Sequence, residues 1–420
     1  MRMAVMRHYR ITRRAAWWSG WRHGRRRSAL PLAAVLGCLQ PAIDPVFLTL
    51  LSSATRLDNA VHGWVVGVTQ TASALAALGV WWLGARMPLR AIVALALGAM
   101  VASLLTPLAA GLPGILALRG LYGLGRGAVY ARAMGGFATR RPTGAYAIVL
   151  LVQLMLATLV SLVLPDLAGR VGAGRALALL ALAPLGAALA LAGTNDAAKG
   201  RPHTEETLRS GATPRAGWAL ALANFWFICA TMMVWSLSGA LAVQAGHSEG
   251  LIGRAVAIGS LAGAATALAV MRERLRVPLP VTACLVGAAL LAPLVLTRPG
   301  AEPDFVLAMV LLNIGSTAII IRCSGLASAL GLGQRFRVFV AATHNLGMSA
   351  GPALGSGLLW VLPDGGLLLG AGAAVLAGVA AVVVAWAWPG TRGLRDYAHW
   401  SAPRRFFAFS ASSGREKGLD

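Results

Sequence analysis

The sequence predicts an all-α membrane protein with twelve transmembrane helices, arranged as two six-helix bundles that are pseudo-repeats of each other. Three observations predict this class: the composition, the spacing of the apolar runs and the placement of the basic residues. Of 420 residues, 57% are hydrophobic and 12% are charged, about half the charged share of an ordinary soluble domain. This small number of charged residues cannot cover so much apolar surface in water. The composition therefore excludes soluble domains and a disordered chain.

Apolar runs of spanning length recur along the whole chain. A helix needs about 20 apolar residues to cross the hydrocarbon core of a bilayer. Twelve runs meet this length, at 30–52, 62–83, 89–109, 114–137, 144–165, 174–193, 217–242, 250–271, 279–297, 304–328, 338–361 and 366–388. Only helices and closed barrels satisfy all their backbone hydrogen bonds in lipid, and these runs are too long and continuous for barrel strands.

Basic residues concentrate in alternate loops, which predicts the orientation. With the basic tail 1–28 placed in the cytoplasm, the cytoplasmic segments hold 28 basic residues and the opposite side holds four. The positive-inside rule then places both termini, including the tail 391–420, in the cytoplasm. The Arg, Ala and Gly richness suggests a bacterial source, hence the inner membrane. The net charge of +23 is explained by the basic residues that the cytoplasmic loops and tails carry. We therefore expect no nucleic-acid partner.

The longest polar stretch between spans, residues 194–216, divides the chain into two halves. A bundle over 29–193 precedes this cytoplasmic linker, and a second bundle over 217–390 follows it. A shift of 190 residues places the Arg-Met-Pro-Leu turn at 86–89 on an Arg-Val-Pro-Leu turn at 276–279. Two parallel six-helix repeats are typical of transporters, whose substrate site lies at the repeat interface near the midplane.

Three short motifs carry a resemblance to a known family. The fourth span reads Arg-Gly-Leu-Tyr-Gly-Leu-Gly-Arg-Gly over 119–127, the second cytoplasmic turn contains two arginines, and the eleventh span contains a Gly-Pro pair. On these motifs, residues 29–390 resemble the major facilitator superfamily. The motif residues concerned are Arg86, Arg90, Arg119, Gly123, Gly127, Gly351, Pro352 and Gly355. The resemblance implies a secondary transporter that works by alternating access, with Arg119 serving proton transfer.

Asp44 is the only acidic residue in the middle of a span. A carboxylate at the midplane costs a few kcal/mol, so it is a functional candidate by default. Gln40 lies one turn earlier on the same helical face. Asp44 also resembles the first-helix aspartate of many proton-coupled family members, which implies a coupling role. The alternative is a carboxylate that pairs with an arginine and only holds two helices together.

Further polar side chains inside the spans predict a substrate cavity. Arg119, Tyr122 and Arg126 share one stripe of the fourth span, and arginines cannot face lipid, so we expect this stripe to face the central cavity. Arg126 suggests an anionic group on the substrate, or a partner for Asp44. The second half contributes Asn224, Thr231, Trp235, His344 and Asn345.

The sequence favours a transporter over an enzyme. It has no phosphate-binding loop for a nucleotide, and its four cysteines lack metal-ligand spacing, so we predict no cofactor and no metal. An intramembrane enzyme would need a catalytic set that one acid and one histidine do not supply; such an enzyme or a non-transporting receptor is the remote alternative. We expect a monomer in the lipid bilayer that exports a hydrophobic compound or metabolite, coupled to protons. The alternative is uptake or exchange of an organic anion.

Overall fold

The computed structural model describes residues 29–57, 61–138, 142–194, 214–272, 277–330, 333–362 and 365–388. Throughout these ranges the chain is helical without strands, and a helix coincides with each predicted span. The predicted all-α class is therefore confirmed. The predicted tails 1–28 and 391–420, and most of the linker 194–216, lie outside the described residues.

We number the helices in chain order. They are α1, in two pieces Ala29–Asp44 and Val46–Thr55; α2, His62–Leu83; α3, Leu89–Leu105; α4, Gly111–Phe137; α5, Pro142–Val171; α6, Ala173–Ala192; α7, Pro214–Gln244; α8, Glu249–Met271; α9, Leu279–Leu296; α10, Glu302–Ala329; α11, Gly333–Val361; and α12, Gly366–Ala387. The pieces of α1 meet at 70°. Pro45 lies at this bend and lacks the backbone N–H that would continue the helical ladder.

Two of the long helices are less apolar than the others. In the described ranges, nine helices are long and apolar enough to cross a membrane, or up to ten when the bent α1 counts as one span. The remaining two, α4 and α11, are 27 and 29 residues long, but they carry the charged and polar residues that lower their hydropathy. The number of twelve spans stays a prediction. Helices of this kind are expected to turn their polar faces away from lipid.

The helix contacts repeat with a period of six helices. In the first half α2 packs on α4, α4 on α3, and α3 on α6; in the second half α8 packs on α10, α10 on α9, and α9 on α12. Similarly, α1 contacts α5 and α6, while α7 contacts α11 and α12. The chain therefore forms two six-helix bundles that share this set of helix contacts.

The bundles meet along α2, α4 and α5 of the first half and α8, α10 and α11 of the second. We call the end of the molecule where α6 ends and α7 begins the linker end. There the rings of Trp81 and Phe339 lie 5.2 Å apart, and Arg337 Nε donates to the carbonyl oxygen of Gly135 at 3.4 Å. The described contacts thus hold the two bundles together at the linker end.

Candidate functional site

A hydrogen-bonded series of polar side chains crosses the middle of the first bundle. Gln40 Nε2 donates to Asp44 Oδ1 at 2.8 Å, and Gln70 Nε2 donates to Asp44 Oδ2 at 3.5 Å. Arg126 Nη2 donates to Gln70 Oε1 at 2.6 Å and to Ser73 Oγ at 3.0 Å. All five side chains are buried. Gln70 therefore bridges the carboxyl group and the guanidinium, which share no direct hydrogen bond in the part of the chain that the structure describes.

The same series reaches the second bundle. Ser73 Oγ donates to Asn345 Oδ1 of α11 at 3.2 Å. The neighbouring His344 ring lies 5.4 Å from the Tyr130 ring of α4. Of the residues predicted in the second half, His344 and Asn345 are the two that contact the first bundle close to Arg126. A continuous set of contacts thus joins Asp44 to the interface between the bundles.

Arg126 has hydrogen-bond donors that the described residues do not use. Its Nη2 is engaged, but its Nε and Nη1 have no hydrogen-bond partner there. The side chain is 4% exposed, and leaving charged donors buried without partners is costly. The adjoining cavity, lined by Gly37, Tyr122 and Arg126 among others, measures about 10 Å³, which is room for about one water molecule. A larger ligand at these donors therefore requires the helices to move apart.

Arg119 lies in a separate and more aromatic environment. Its Nε donates to Thr69 Oγ1 at 3.2 Å, and its guanidinium carbon lies 4.4 Å from the centre of the Phe47 ring and 4.3 Å from that of Tyr122. Such cation–π contacts stabilise a desolvated guanidinium. Tyr122 is also buried, against Ala99 and other residues. The stripe predicted to face the central cavity is thus packed among α1, α2 and α3 in this conformation.

Polar residues of α7 make their contacts inside the second bundle. Asn224 is fully buried, donates from Nδ2 to Thr343 Oγ1 at 3.3 Å, and accepts from Ser324 Oγ at 2.8 Å. Thr231 donates to a carbonyl oxygen of its own helix at 2.7 Å, and Trp235 is half-buried. The structure does not bring these three predicted cavity residues into hydrogen-bonding contact with the Asp44–Arg126 series.

The glycines of α4 allow close approach to α2. A Cβ at Gly123 would collide with the carbonyl oxygen of Thr69, and one at Gly127 with that of Ser73. Gly127 therefore sets the distance at which Ser73 meets Arg126. Small residues at helix interfaces of membrane proteins serve this close packing.

The motif residues of α11 pack in a similar way on α7. A Cβ at Gly351 would lie 2.5 Å from the carbonyl oxygen of Cys229, and one at Gly355 would lie 2.8 Å from Met233 Cγ. Pro352 is buried between them in the helix. In contrast, Arg86 is exposed at the turn between α2 and α3, and Arg90 is exposed in the first turn of α3.

Gly127→Ala is expected to destabilise the protein, because the new methyl group would overlap the backbone of Ser73. Overpacking of this kind costs about 1–3 kcal/mol, which should appear as a clear fall in the Tm of the purified protein in detergent. Gly120→Ala on the same helix is the matched control, since its Cβ would lie 3.5 Å from Val68 Cγ1, an ordinary contact. Equal stability of the two variants would contradict the close packing of α2 against α4.

Sequence reasoning missed Gln70 and Ser73, the residues that connect Asp44 to Arg126 and Asn345. A signal was present, because the run Thr-Gln-Thr-Ala-Ser at 69–73 places four polar residues in an apolar span. Each is common as a helix-packing residue, so the run alone does not reveal its partners. Among the described residues, no group of three or more His, Cys, Asp or Glu side chains could hold a metal ion.

Comparison with known proteins is informative for the solved structures. No family model and no curated protein matches the chain. The solved structures include a major facilitator superfamily transporter, FucP, in the outward conformation, which matches with a TM-score of 0.59 and 14% sequence identity over 86% of this chain and 97% of that chain. The chain has the major facilitator fold. The resemblance that the motifs suggested is thereby confirmed for the fold.

Within this major facilitator fold, the Asp44–Arg126 series lies in the first bundle and meets the second through Ser73. That contact lies about half-way along α2 and α11, and the contacts of Trp81 and Gly135 lie beyond it toward the linker end. The series therefore reaches the bundle interface about half-way along these two helices.

Proposed function

We propose that this protein is a proton-coupled secondary transporter of an organic anion that works by alternating access. The observation that carries the proposal is the pair of unpartnered donors, Nε and Nη1, on the buried Arg126. A guanidinium presents its donors in a planar fork that suits carboxylate and phosphate groups. A side chain whose only role was packing would be expected to use these donors within the protein.

Asp44 is the proposed proton carrier. Its two oxygens accept from Gln40 and Gln70, and Gln70 in turn accepts from Arg126. A proton on Asp44 removes the charge that orients the amide of Gln70. Gln70 can then turn, which changes its hydrogen bond to Arg126. The affinity of the anion site then depends on whether Asp44 is protonated.

The linker end is proposed to face the cytoplasm of a bacterium, with the chain in the inner membrane. The described contacts hold the bundles together at that end, and the excess of basic residues in its loops supports this orientation. This arrangement supports an outward-open state in which the lipid-embedded monomer receives substrate from outside.

Efflux of a hydrophobic compound is the second candidate, and an observation in the second bundle favours it. Asn224 and Thr231 satisfy their hydrogen bonds within that bundle, which leaves an apolar surface for substrate on this side. Such a compound would bind mainly by burial of apolar area and would need little from Arg126.

Proteoliposomes with an imposed pH gradient test both candidates. We expect the gradient to drive transport of at least one small carboxylate or phosphate ester from a panel of organic anions and cations, and a protonophore to abolish it. Gradient-driven transport of apolar or cationic compounds alone would favour the second candidate. Absence of gradient-driven transport across the panel would contradict proton coupling.

A further inference from the structure

The linker-end half of α7 and α11 forms an apolar groove outside the Asp44–Arg126 site. Its volume is about 470 Å³, and its walls include Trp218, Leu222, Phe225, Phe339, Thr343 and Leu346. Trp218 and Leu222 are 47% and 50% exposed, so the groove opens on the surface of the bundle. Volumes of this size are typical of small-molecule sites.

The shape of the groove suits an extended apolar chain. Its residues run from Trp218 to Phe225 on α7 and from Phe339 to Leu346 on α11, and both helices run away from the linker end. At 1.5 Å per residue, each wall extends about 10 Å toward the middle of the membrane. The hydroxyl of Thr343, the one polar side chain among these residues, already bonds Val340 and Asn224.

Two arginines lie at the linker end of this groove. Arg215 precedes Trp218 by three residues and Arg335 precedes Phe339 by four, so each lies one turn toward the linker end on the same helical face. Both are exposed. The Arg215 guanidinium carbon lies 5.4 Å from the Trp388 ring centre, and that of Arg335 lies 5.6 Å from the Trp81 ring centre. Each cation is therefore oriented by an aromatic ring.

From this combination we infer that the groove binds an anionic phospholipid, with an acyl chain in the surface groove along α7 and α11 and the phosphate at Arg215 and Arg335. The charge complementarity selects the head group, because each basic side chain near a bilayer surface contributes about 1 kcal/mol toward an anionic lipid. The apolar walls bind the chain without selecting among lipids. None of the groove residues belongs to the Asp44–Arg126 series, so the two sites can be altered independently.

Native mass spectrometry of the purified protein in detergent tests the inference. The probes are dioleoylphosphatidylglycerol and dioleoylphosphatidylcholine, which share their acyl chains and differ in net charge. We expect the phosphatidylglycerol to bind more tightly, and Arg215→Gln with Arg335→Gln to weaken it about 25-fold, or about fivefold for each arginine. Arg272→Gln, at an exposed arginine at the linker end of α8, is the charge-matched control and should bind normally.

A substitution that fills the groove distinguishes lipid binding at this site from general lipid binding on the protein surface. Leu222→Trp should weaken the binding of both lipids, whereas Leu261→Trp, at a position on α8 that is 47% exposed, should not. Equal affinity for the two lipids in the unmodified protein would overturn the inference. So would unchanged phosphatidylglycerol binding in the double arginine variant or in Leu222→Trp, or an equal loss in Arg272→Gln.

Discussion

Replacing Asp44 with asparagine is expected to abolish proton-driven transport while leaving the protein folded in the membrane. Asparagine keeps the size of the side chain and cannot carry the proton. Its oxygen can accept from Gln70 Nε2, and its amide can donate to Gln40 once the Gln40 amide turns over. The hydrogen bonds at this position, which now measure 2.8 Å and 3.5 Å, can therefore be replaced, and only the titrating group is lost.

Two assays on the same reconstituted variant separate coupling from structure. Transport driven by a pH gradient should vanish, whereas exchange of labelled for unlabelled substrate at equal pH should persist, because exchange needs no net proton movement. Asp166→Asn makes the same chemical change at an exposed position of α5 and should leave both activities intact. Full gradient-driven transport in Asp44→Asn would rule out Asp44 as the proton carrier, and joint loss of exchange and expression would indicate a packing role.

Arg126→Lys is expected to weaken apparent substrate affinity roughly ten- to a hundredfold, the effect of losing a charge-assisted hydrogen bond of about 1.5–3 kcal/mol. Lysine keeps the charge, but its ammonium group cannot contact Gln70, Ser73 and a bound anion with the geometry of the planar fork. Arg126→Gln should bind still more weakly. Arg254→Lys, at an exposed arginine of α8, is the control for a change from arginine to lysine.

The double variant Asp44→Asn/Arg126→Gln distinguishes an anion site from an ion pair. A direct pair would leave one buried charge uncompensated in each single variant, and neutralising both would restore expression. Gln70 separates the two groups in this structure, so we expect no such recovery. Restored expression in the double variant, together with unchanged affinity in Arg126→Lys, would reject substrate binding by Arg126.

The long-range architecture could be predicted from the sequence. Spanning segments are determined by length and hydropathy, which are local quantities, and each predicted segment coincides with a helix. The shared Arg-x-Pro-Leu turn of the halves indicated a repeat, which the structure shows as matching helix contacts. Asp44 was also identifiable from the sequence, because a carboxyl group in the middle of an apolar span is rare.

The partners of Asp44 were decided by the tertiary structure alone. Helical spacing places Arg126 on a face of α4, but it does not say which helix covers that face. Gln70 occupies the space between Arg126 and Asp44 because Gly123 and Gly127 bring α2 close to α4.

Helix packing also decided which of the residues predicted in the second half contact the first bundle. Asn224 and Asn345 are both amides in long helices, yet Asn224 is enclosed by its own bundle and Asn345 accepts from Ser73 of the other. In a membrane protein most helices are apolar on every side, so the sequence carries little periodic signal about neighbours. Sequence alone therefore determined which segments form the long helices and which polar groups lie within them, whereas the packing of the helices decided which of those groups meet.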